Sequence, residues 1–249
     1  MTDKLPIGDR MKQQYENRTR YMLPRRSYAV ARVDGKSFHT YTRQARRPFD
    51  DCIMQAMDET AIYLCRNMQG AKFAYVQSDE ISVLLTDFDT ITTESWFNGN
   101  IQKIASVSAA MATMQFNLAV RDDFPSNALF DARVFTIPDP VEVANYFIWR
   151  QQDWIRNSIA MVAGSHYSQK ELFGKDMAAQ HELIHAAGDN WATQYTQGQK
   201  NGRVVRRMGN GGTSTWMVED AVVFTSRPDF LASLIPPMPV FDAIETVIV

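Results

Sequence analysis

The sequence predicts an α+β fold whose central elements follow the order βαββαβ. Two adjacent strand-like runs, 72–77 and 80–86, are expected to form a hairpin, and further strand-like runs lie at 27–34 and 130–136. Apolar residues between these strands recur at helical spacing. This order is typical of the ferredoxin-type split βαβ arrangement, which places both helices on one sheet face and leaves the other free for substrate.

The first strand and the first helix follow from local patterns. Alternation in the strand puts Arg32 and Asp34 on the same face. Asp50 and Asp51 are suited to cap the following helix, which carries apolar residues at helical spacing and ends at Gly70. A cation and a carboxylate are therefore expected side by side at the end of the first strand.

The next elements are the hairpin, a second helix over 97–117 and the strand at 130–136. The hairpin holds Ser78, Asp79 and Glu80 at its tip. The second helix is rich in alanine and serine, which suits close packing on a sheet. These elements complete the four-stranded core.

Residues beyond Pro138 continue as helices at 141–163 and 171–187, a loop-like stretch at 191–201 and a short strand at 203–207. The last forty residues hold four of the ten prolines and are expected to form an extended wrap. We therefore predict that residues 1–138 form the catalytic domain with a basic N-terminal segment. Residues 139–249 would pack on it as a helical and extended part of one structural unit.

The bulk composition limits the classes of protein. The chain has 249 residues, 45% of them hydrophobic and 22% charged, which is ordinary for a soluble globular protein. No apolar run approaches the roughly 20 residues of a membrane span, and the first residues lack an apolar signal core. Cys52 and Cys65 would lie on one helix too far apart to bridge. We expect a cytoplasmic protein with reduced thiols and no membrane partner.

The net charge is only −2, yet basic residues crowd the first fifth of the chain. Such a stripe binds polyanions in some proteins and is simply a solvated face in others. The stripe consists of Arg18, Arg20, Arg25, Arg26, Arg32, Lys36, Arg43, Arg46 and Arg47.

Three acidic residues stand at predicted strand ends: Asp34, Asp79 and Glu80. Mg²⁺ takes oxygen ligands, usually one or two carboxylates completed by phosphates and water, and carboxylates can bridge two such ions. The pattern indicates a two-metal phosphoryl-transfer site. The alternative is that the acidic pair is an ordinary polar hairpin turn.

A second motif points to different chemistry. His181-Glu182-Leu-Ile-His185 matches the zinc protease pattern in which two histidines bind Zn²⁺ and the glutamate acts as base. The following residues, 186–190, supply no third histidine ligand. A structural helix is the favoured interpretation.

Several blocks of the sequence, in order and spacing, resemble the tRNA-His guanylyltransferase family, and more closely its shorter bacterial, archaeal and phage-type members, the guanylyltransferase-like 3′–5′ RNA polymerases. Residues 8–12 and 15–16 match the family's opening, and the resemblance extends to about residue 205. The blocks are Arg32-Val-Asp-Gly-Lys-Ser-Phe-His39, Arg47-Pro-Phe-Asp50, Gln77-Ser-Asp-Glu80, Phe130-Asp-Ala-Arg-Val134 and Trp149-Arg-Gln-Gln-Asp153.

This resemblance implies a palm-like sheet, as in ordinary DNA polymerases, and addition of nucleotides to the 5′ end of tRNA. ATP or GTP would activate a 5′-monophosphate, unless a triphosphate is already present. The 3′-hydroxyl of an incoming nucleoside triphosphate would then attack and release AMP or pyrophosphate. The cofactors implied are two Mg²⁺ ions, and the implied assembly is a homotetramer.

The resemblance also implies roles for individual residues. Asp34 and Asp79 would ligate the metal ions, Gly35 would lend a carbonyl, and Glu80 would be a weaker ligand or an orienting group. The remaining matched or adjacent positions are expected near a nucleotide or its triphosphate. They are Arg32, Lys36, Ser37, Phe38, His39, Arg47, Ser78, Lys103, Arg133 and Asn157.

The sequence departs from the family where eukaryotic members carry a His-Ile-Asn-Asn motif. The histidine position is Ile155, Asn157 keeps one asparagine, and Ser158 replaces the other. That motif accompanies non-templated guanylation of tRNA-His, so we favour template-directed repair of 5′-truncated tRNA, with guanylation as the alternative. A palm-fold nucleotide cyclase would lack two of the blocks, and a non-catalytic RNA-binding module would gain nothing from carboxylates facing phosphate.

Overall fold

A computed structural model describes residues 5–120, 124, 126–209 and 214–239. The strands are β1 (Tyr28–Gly35), β2 (Ala71–Gln77), β3 (Glu80–Leu85), β4 (Phe130–Ile137), β5 (Arg203–Met208) and β6 (Thr215–Asp220). The helices are α1 (Ile7–Gln14), α2 (Phe38–Tyr41), α3 (Asp51–Asn67), α4 (Ile101–Val120), α5 (Pro140–His166), α6 (Gln169–Leu172), α7 (Met177–Ala186), α8 (Trp191–Gln194), α9 (Gln197–Asn201) and α10 (Pro228–Leu234). Short 3₁₀ turns lie at Glu16–Thr19, Thr42–Gln44 and Trp96–Gly99.

The six strands form one antiparallel sheet in the order β4-β1-β3-β2-β5-β6. The first four strands and helices α3 and α4 realise the predicted βαββαβ core, so the α+β prediction is confirmed. β5 and β6 extend the same sheet beyond β2. The proposed boundary at residue 138 stays a prediction, although residues on both sides of it contribute to this sheet.

Helices α3 and α4 cover one sheet face. Asp50 caps α3 by accepting a hydrogen bond from the backbone N–H of Ile53 at 3.2 Å, which satisfies a donor otherwise unpaired at the helix start. Apolar side chains of both helices then pack against every second residue of the strands, among them Ala31, Val33 and Val83. This packing fixes where the end of β1 meets the hairpin β2–β3.

The opposite sheet face was expected to be free for substrate, and that expectation is wrong for much of it. Tyr28, Val30 and Tyr75 on this face form a second apolar cluster with Phe147 of α5 and with residues after β6, including Phe224. The strand residues are apolar here on both faces, so burying the second face stabilises the fold. The end of the sheet that carries Asp34 and Glu80 is polar.

Three elements of the C-terminal part differ from the sequence predictions. The helix predicted at 171–187 is two helices, α6 and α7, separated at 173–176. The stretch predicted as a loop contains α8 and α9, whose starts are capped by Asn190 and Thr196. The predicted extended wrap includes β6 and α10, and its last residues, 240–249, lie outside the described residues.

Within the described ranges, none of the helices has both the length and the apolar character needed to cross a membrane.

Candidate active site

The end of β1 and the β2–β3 hairpin bring Asp34 and Asp79 to one edge of the sheet. The backbone N–H of Gly35 donates to the carbonyl of Asp79 at 3.1 Å, which joins the two segments. A Cβ on Gly35 would lie 2.9 Å from Asp79 Oδ2 and 2.4 Å from the ring of Phe38. Only glycine therefore allows the Asp79 carboxylate to approach the end of β1 this closely.

Two serines beside these carboxylates have left-handed backbone conformations. Ser78 opens the two-residue hairpin loop with φ 45°, and Ser37 precedes α2 with φ 52°. Such conformations cost roughly 1–2 kcal/mol for a residue other than glycine. Strained residues of this kind cluster at functional sites, where the surrounding structure holds them.

The carboxylates at this edge are protonated more readily than usual. Burial is the largest cause of the rise in the pKa of Asp79 to about 6; the charges of Asp34 and Glu80 add to it, whereas its own backbone N–H and the Ser78 hydroxyl oppose it. Burial, followed by the charges of Glu80 and Asp131, also raises the pKa of Asp34. Closely spaced, partly buried carboxylates of this kind are stabilised by a bound cation.

Glu80 is held differently from the two aspartates. It is 6% exposed, and both of its oxygens accept hydrogen bonds from Arg150 of α5, at 2.8 and 2.7 Å. Gln77 donates a further bond at 3.1 Å, and Arg32 lies 3.8 Å from the second oxygen. Both oxygens of Glu80 are thus engaged by Arg150, with Arg32 nearby, and the weaker, orienting role expected for Glu80 stays a prediction.

An acidic row and a basic row cross the sheet side by side at Asp34. Asp131 of β4 lies directly opposite Asp34, and Arg133 lies opposite Arg32. Arg133 is half exposed and is 3.8 Å from Asp34 and 3.5 Å from Asp131. Two arginines thus flank the carboxylates on the same face, as strand alternation predicted for Arg32.

Two cavities meet at Ser78 and Asp79. The inner cavity, of about 580 Å³, lies between the loop after β1, the start of α3 and α5. The outer cleft, of about 520 Å³, is open and lies on the Asp34 side. Trp154 borders both of them, so the acidic edge faces two adjoining spaces.

Most of the expected nucleotide-binding residues line these spaces. The inner cavity is bordered by Gly35, Ser37, Phe38, His39, Arg47, Ser78 and Asp79. Phe38 is a wall of this cavity and also part of the core, because its ring packs against Phe116 and Phe130. Lys36 is exposed, and its backbone N–H donates to Leu129 at 2.8 Å.

Lys103 does not belong to this site in its own chain, contrary to the expectation. α4 meets the site through Phe116, whose ring contacts Phe38, whereas Lys103 lies 13 residues earlier, about 20 Å along the helix at the usual rise. Its ammonium instead lies 5.8 Å from the centre of the Phe97 ring. The direction of α4 relative to the sheet, which the sequence does not give, places it at the far end.

The segment that replaces the eukaryotic motif lies on α5. Asn157 borders the outer cleft, as expected for a nucleotide contact. Ile155 packs instead against an apolar cluster that contains Phe49 and Trp154, and Ser158 is buried and accepts a hydrogen bond from Trp191 at 3.1 Å. Only one polar side chain of this segment therefore borders the cleft.

The histidines of the zinc-like motif lie on α7. His181 packs edge-on against Trp191, and His185 is exposed. Across the described residues, no three His, Cys, Asp or Glu side chains converge on one point as in an all-protein metal cage.

Three residues of α5 that border the outer cleft, Arg150, Trp154 and Met161, were not identified as site residues from the sequence. With Asn157, which was expected there, they are spaced by four, three and four residues and form one stripe on α5. That spacing, together with the Trp149 block, was a usable signal. Arg203, on the floor of the inner cavity, gave no comparable signal because it comes from a distant part of the chain.

Solved structures of known proteins match this fold over nearly the whole chain. A bacterial tRNA(His) guanylyltransferase (Thg1)-like protein in complex with ATP is 41% identical, with a TM-score of 0.86, and the match covers 93% of this chain and 99% of that one. The structure of such a protein with GTP is 40% identical with a TM-score of 0.76, covering 92% and 98%. A mimivirus protein without assigned function is 32% identical over 184 residues, 64% of this chain.

The family model described as tRNAHis guanylyltransferase (Thg1) matches residues 8–138. The chain spans less than two thirds of the length of the curated relatives it matches, 62% for the mimivirus protein. The matched residues include β1, the hairpin and β4, which carry the acidic edge and its arginines. The chain therefore belongs to the tRNA-His guanylyltransferase family, whose named activity is that of a nucleotidyltransferase.

Proposed function

We propose that this chain is a Mg²⁺-dependent nucleotidyltransferase that adds nucleotides in the 3′–5′ direction to the 5′ end of tRNA, after activation by ATP or GTP. The observation that carries the proposal is the pair Asp34 and Asp79, set between two cavities with arginines beside it. Charge neutralisation and in-line positioning are nearly all that phosphoryl transfer requires of a protein.

The residues present fit Mg²⁺. Asp34 and Asp79 offer only oxygen ligands, and burial together with the neighbouring carboxylates raises the pKa of each. Asp79 approaches Gly35 closely, so the backbone of Gly35 lies beside its carboxylate. One or two carboxylates completed by phosphate and water are the usual ligands of this ion. When bound, Mg²⁺ would offset phosphate charge; Asp34, Asp79 and the Gly35 carbonyl would hold it.

The two cavities suit the two nucleotides of the reaction. In the inner cavity Arg47 and Ser37 border the polar end, and apolar side chains such as Phe49 and Met54 form walls suited to a base. An activating nucleotide would bind there. Structures of bacterial relatives of this chain contain ATP in one case and GTP in the other.

The incoming nucleoside triphosphate would then occupy the outer cleft beside Arg32 and Arg133. These arginines would hold its phosphates, so that its 3′-hydroxyl faces the activated 5′-phosphate. Attack forms the new phosphodiester bond and releases AMP after activation by ATP, GMP after activation by GTP, or pyrophosphate where the tRNA already carries a triphosphate. Asn157 would orient the nucleotide from α5.

Template-directed repair of 5′-truncated tRNA fits this site better than non-templated guanylation of tRNA-His, the alternative. Ile155 is turned into an apolar cluster, and Ser158 is engaged by Trp191. The chain thus supplies one polar group, Asn157, where the eukaryotic motif supplies three polar residues. The selection of the added nucleotide would then have to come from base pairing with a template.

We also propose a homotetramer in the cytoplasm, with Lys103 acting on the triphosphate of a second copy. Lys103 is too far from Asp34 to act within its own chain. Light scattering during size-exclusion chromatography measures the mass of the assembly. The mass of a monomer would refute both the tetramer and the proposed role of Lys103.

A primer-extension assay tests the activity. The full chain is incubated with Mg²⁺, labelled nucleotides and tRNAs that lack their first 5′ nucleotide, with either a matching or a removed template base. We expect addition only of the nucleotide complementary to the template, and no addition by Asp79→Asn. The matched control is Asp176→Asn, which changes the cap of α7 away from the site and should leave addition unchanged.

The outcomes separate the candidates. Addition of guanosine to full-length tRNA-His regardless of the opposite base would favour guanylation. No addition to any tRNA would contradict the proposal, as would activity retained by Asp79→Asn.

A further inference from the structure

The floor of the inner cavity is formed by Arg203, the first residue of β5. Its side chain is 5% exposed and is held by an ion pair with Asp58 of α3, in which Nε donates to Oδ1 at 2.5 Å. Burying a guanidinium is costly unless its donors are used. Arginines in such positions often serve recognition of planar groups.

One donor of this guanidinium is left over. Nη2 of Arg203 is buried and has no hydrogen-bond partner among the described residues. The same holds for the indole Nε1 of Trp154, which borders the same cavity. Buried donors are rarely left unpaired, because each lost hydrogen bond costs stability. Two residues that border the inner cavity therefore carry unpaired donors, and a ligand with acceptor atoms would satisfy them.

The position of Arg203 fits the base of a nucleotide whose phosphates lie at the acidic edge. Arg203 is directly opposite Val76 of β2, and Val76 lies three residues before Asp79, about 10 Å along an extended chain. The ribose and the purine ring of a nucleotide together span such a distance from its α-phosphate. Apolar walls that include Phe49 and Met54 border the space between the two ends.

From these contacts we propose that Arg203 is the residue that recognises the base of the activating nucleotide, through a hydrogen bond from Nη2 to a purine ring nitrogen. The inference rests on the proposed function, in which this cavity accepts either ATP or GTP. N7 and N3 are the ring acceptors that adenine and guanine share, whereas the group at position 6 donates in adenine and accepts in guanine. A donor aimed at N7 or N3 thus accepts both purines.

The test compares ATP with 7-deaza-ATP and 3-deaza-ATP, each of which lacks one of these nitrogens. Dissociation constants are measured by calorimetry with Mg²⁺, using the full wild-type chain, Arg203→Lys and Arg207→Lys. The lysine keeps a cation near Asp58 but loses the second donor. Arg207 lies on the same strand, stacked on Trp216, and does not border the cavity, so it is the matched control.

We expect one of the two analogues to bind wild type about tenfold more weakly than ATP, the size of one hydrogen bond from a charged donor. Arg203→Lys should weaken ATP binding by a similar factor and abolish the difference between ATP and that analogue. Arg207→Lys should behave as wild type.

The assignment is overturned if both analogues bind wild type as tightly as ATP, or if Arg203→Lys keeps the full difference between them. Because the analogues are tested on the unaltered chain, a variant that fails to fold does not spoil the test. A wild-type chain that binds neither ATP nor GTP would refute the proposed function itself. That result is distinct from tight binding without discrimination, which refutes only the role of Arg203.

Discussion

Replacing Asp79 by asparagine should make the metal-free protein more stable at neutral pH while abolishing nucleotide addition. The carboxyl of Asp79 ionises near 3.8 in an unfolded chain and at about 6 in the folded one. Between these values the folded state holds the extra proton, so the wild type loses stability as the pH rises through this window. An amide has no charge to lose and can still accept the bond from Ser78.

The size of the effect follows from the pKa. A rise from 3.8 to about 6 corresponds to at most about 3 kcal/mol of lost stability once the carboxyl is ionised. Because the side chain is only partly buried, solvent screening reduces this, and we expect roughly 1–3 kcal/mol. For a chain of this length that is an increase in Tm of about 3–10 °C.

The assay is thermal unfolding of wild type and Asp79→Asn in EDTA from pH 4.5 to pH 8. The difference in Tm should be small at the acidic end and reach its full value above pH 7. Glu59→Gln, which removes an exposed charge on α3, should show no such pH dependence. Added Mg²⁺ should raise the Tm of wild type and leave that of Asp79→Asn unchanged. Equal stability of the two proteins at pH 8 would refute the reasoning.

Three further perturbations address the rest of the site. Glu80→Gln should cost about 3 kcal/mol in urea unfolding, because it removes the buried carboxylate that accepts two hydrogen bonds from Arg150 and leaves that arginine only its ion pair with Asp153; a loss below about 0.5 kcal/mol would contradict that. Gly35→Ala should lower nucleotide addition at least about a hundredfold, since its Cβ would displace the Asp79 carboxylate, and normal Mg²⁺ affinity in this variant would argue against the site. Arg133→Ala should raise KM for the nucleoside triphosphate more than Kd for tRNA, and an unchanged KM would remove it from the site.

Local patterns were sufficient for the core of the site. Strand alternation placed Arg32 and Asp34 on one face, and the hairpin signal placed Asp79 at a tip, because both depend on neighbours within a few residues. The resemblance to the family added the expectation of Mg²⁺ and of a tRNA substrate. The pattern of apolar residues was less informative after residue 138, where short helices depend on caps such as Thr196.

What the sequence by itself determined is the α+β order of elements, the acidic edge and the family. The tertiary structure decided which distant residues surround that edge. Arg150 reaches Glu80 across 70 residues, and Arg203 reaches Asp58 across 145. It also decided that Lys103 lies at the far end of α4. Such placements depend on how helices pack and in which direction they run, and no local pattern encodes that geometry.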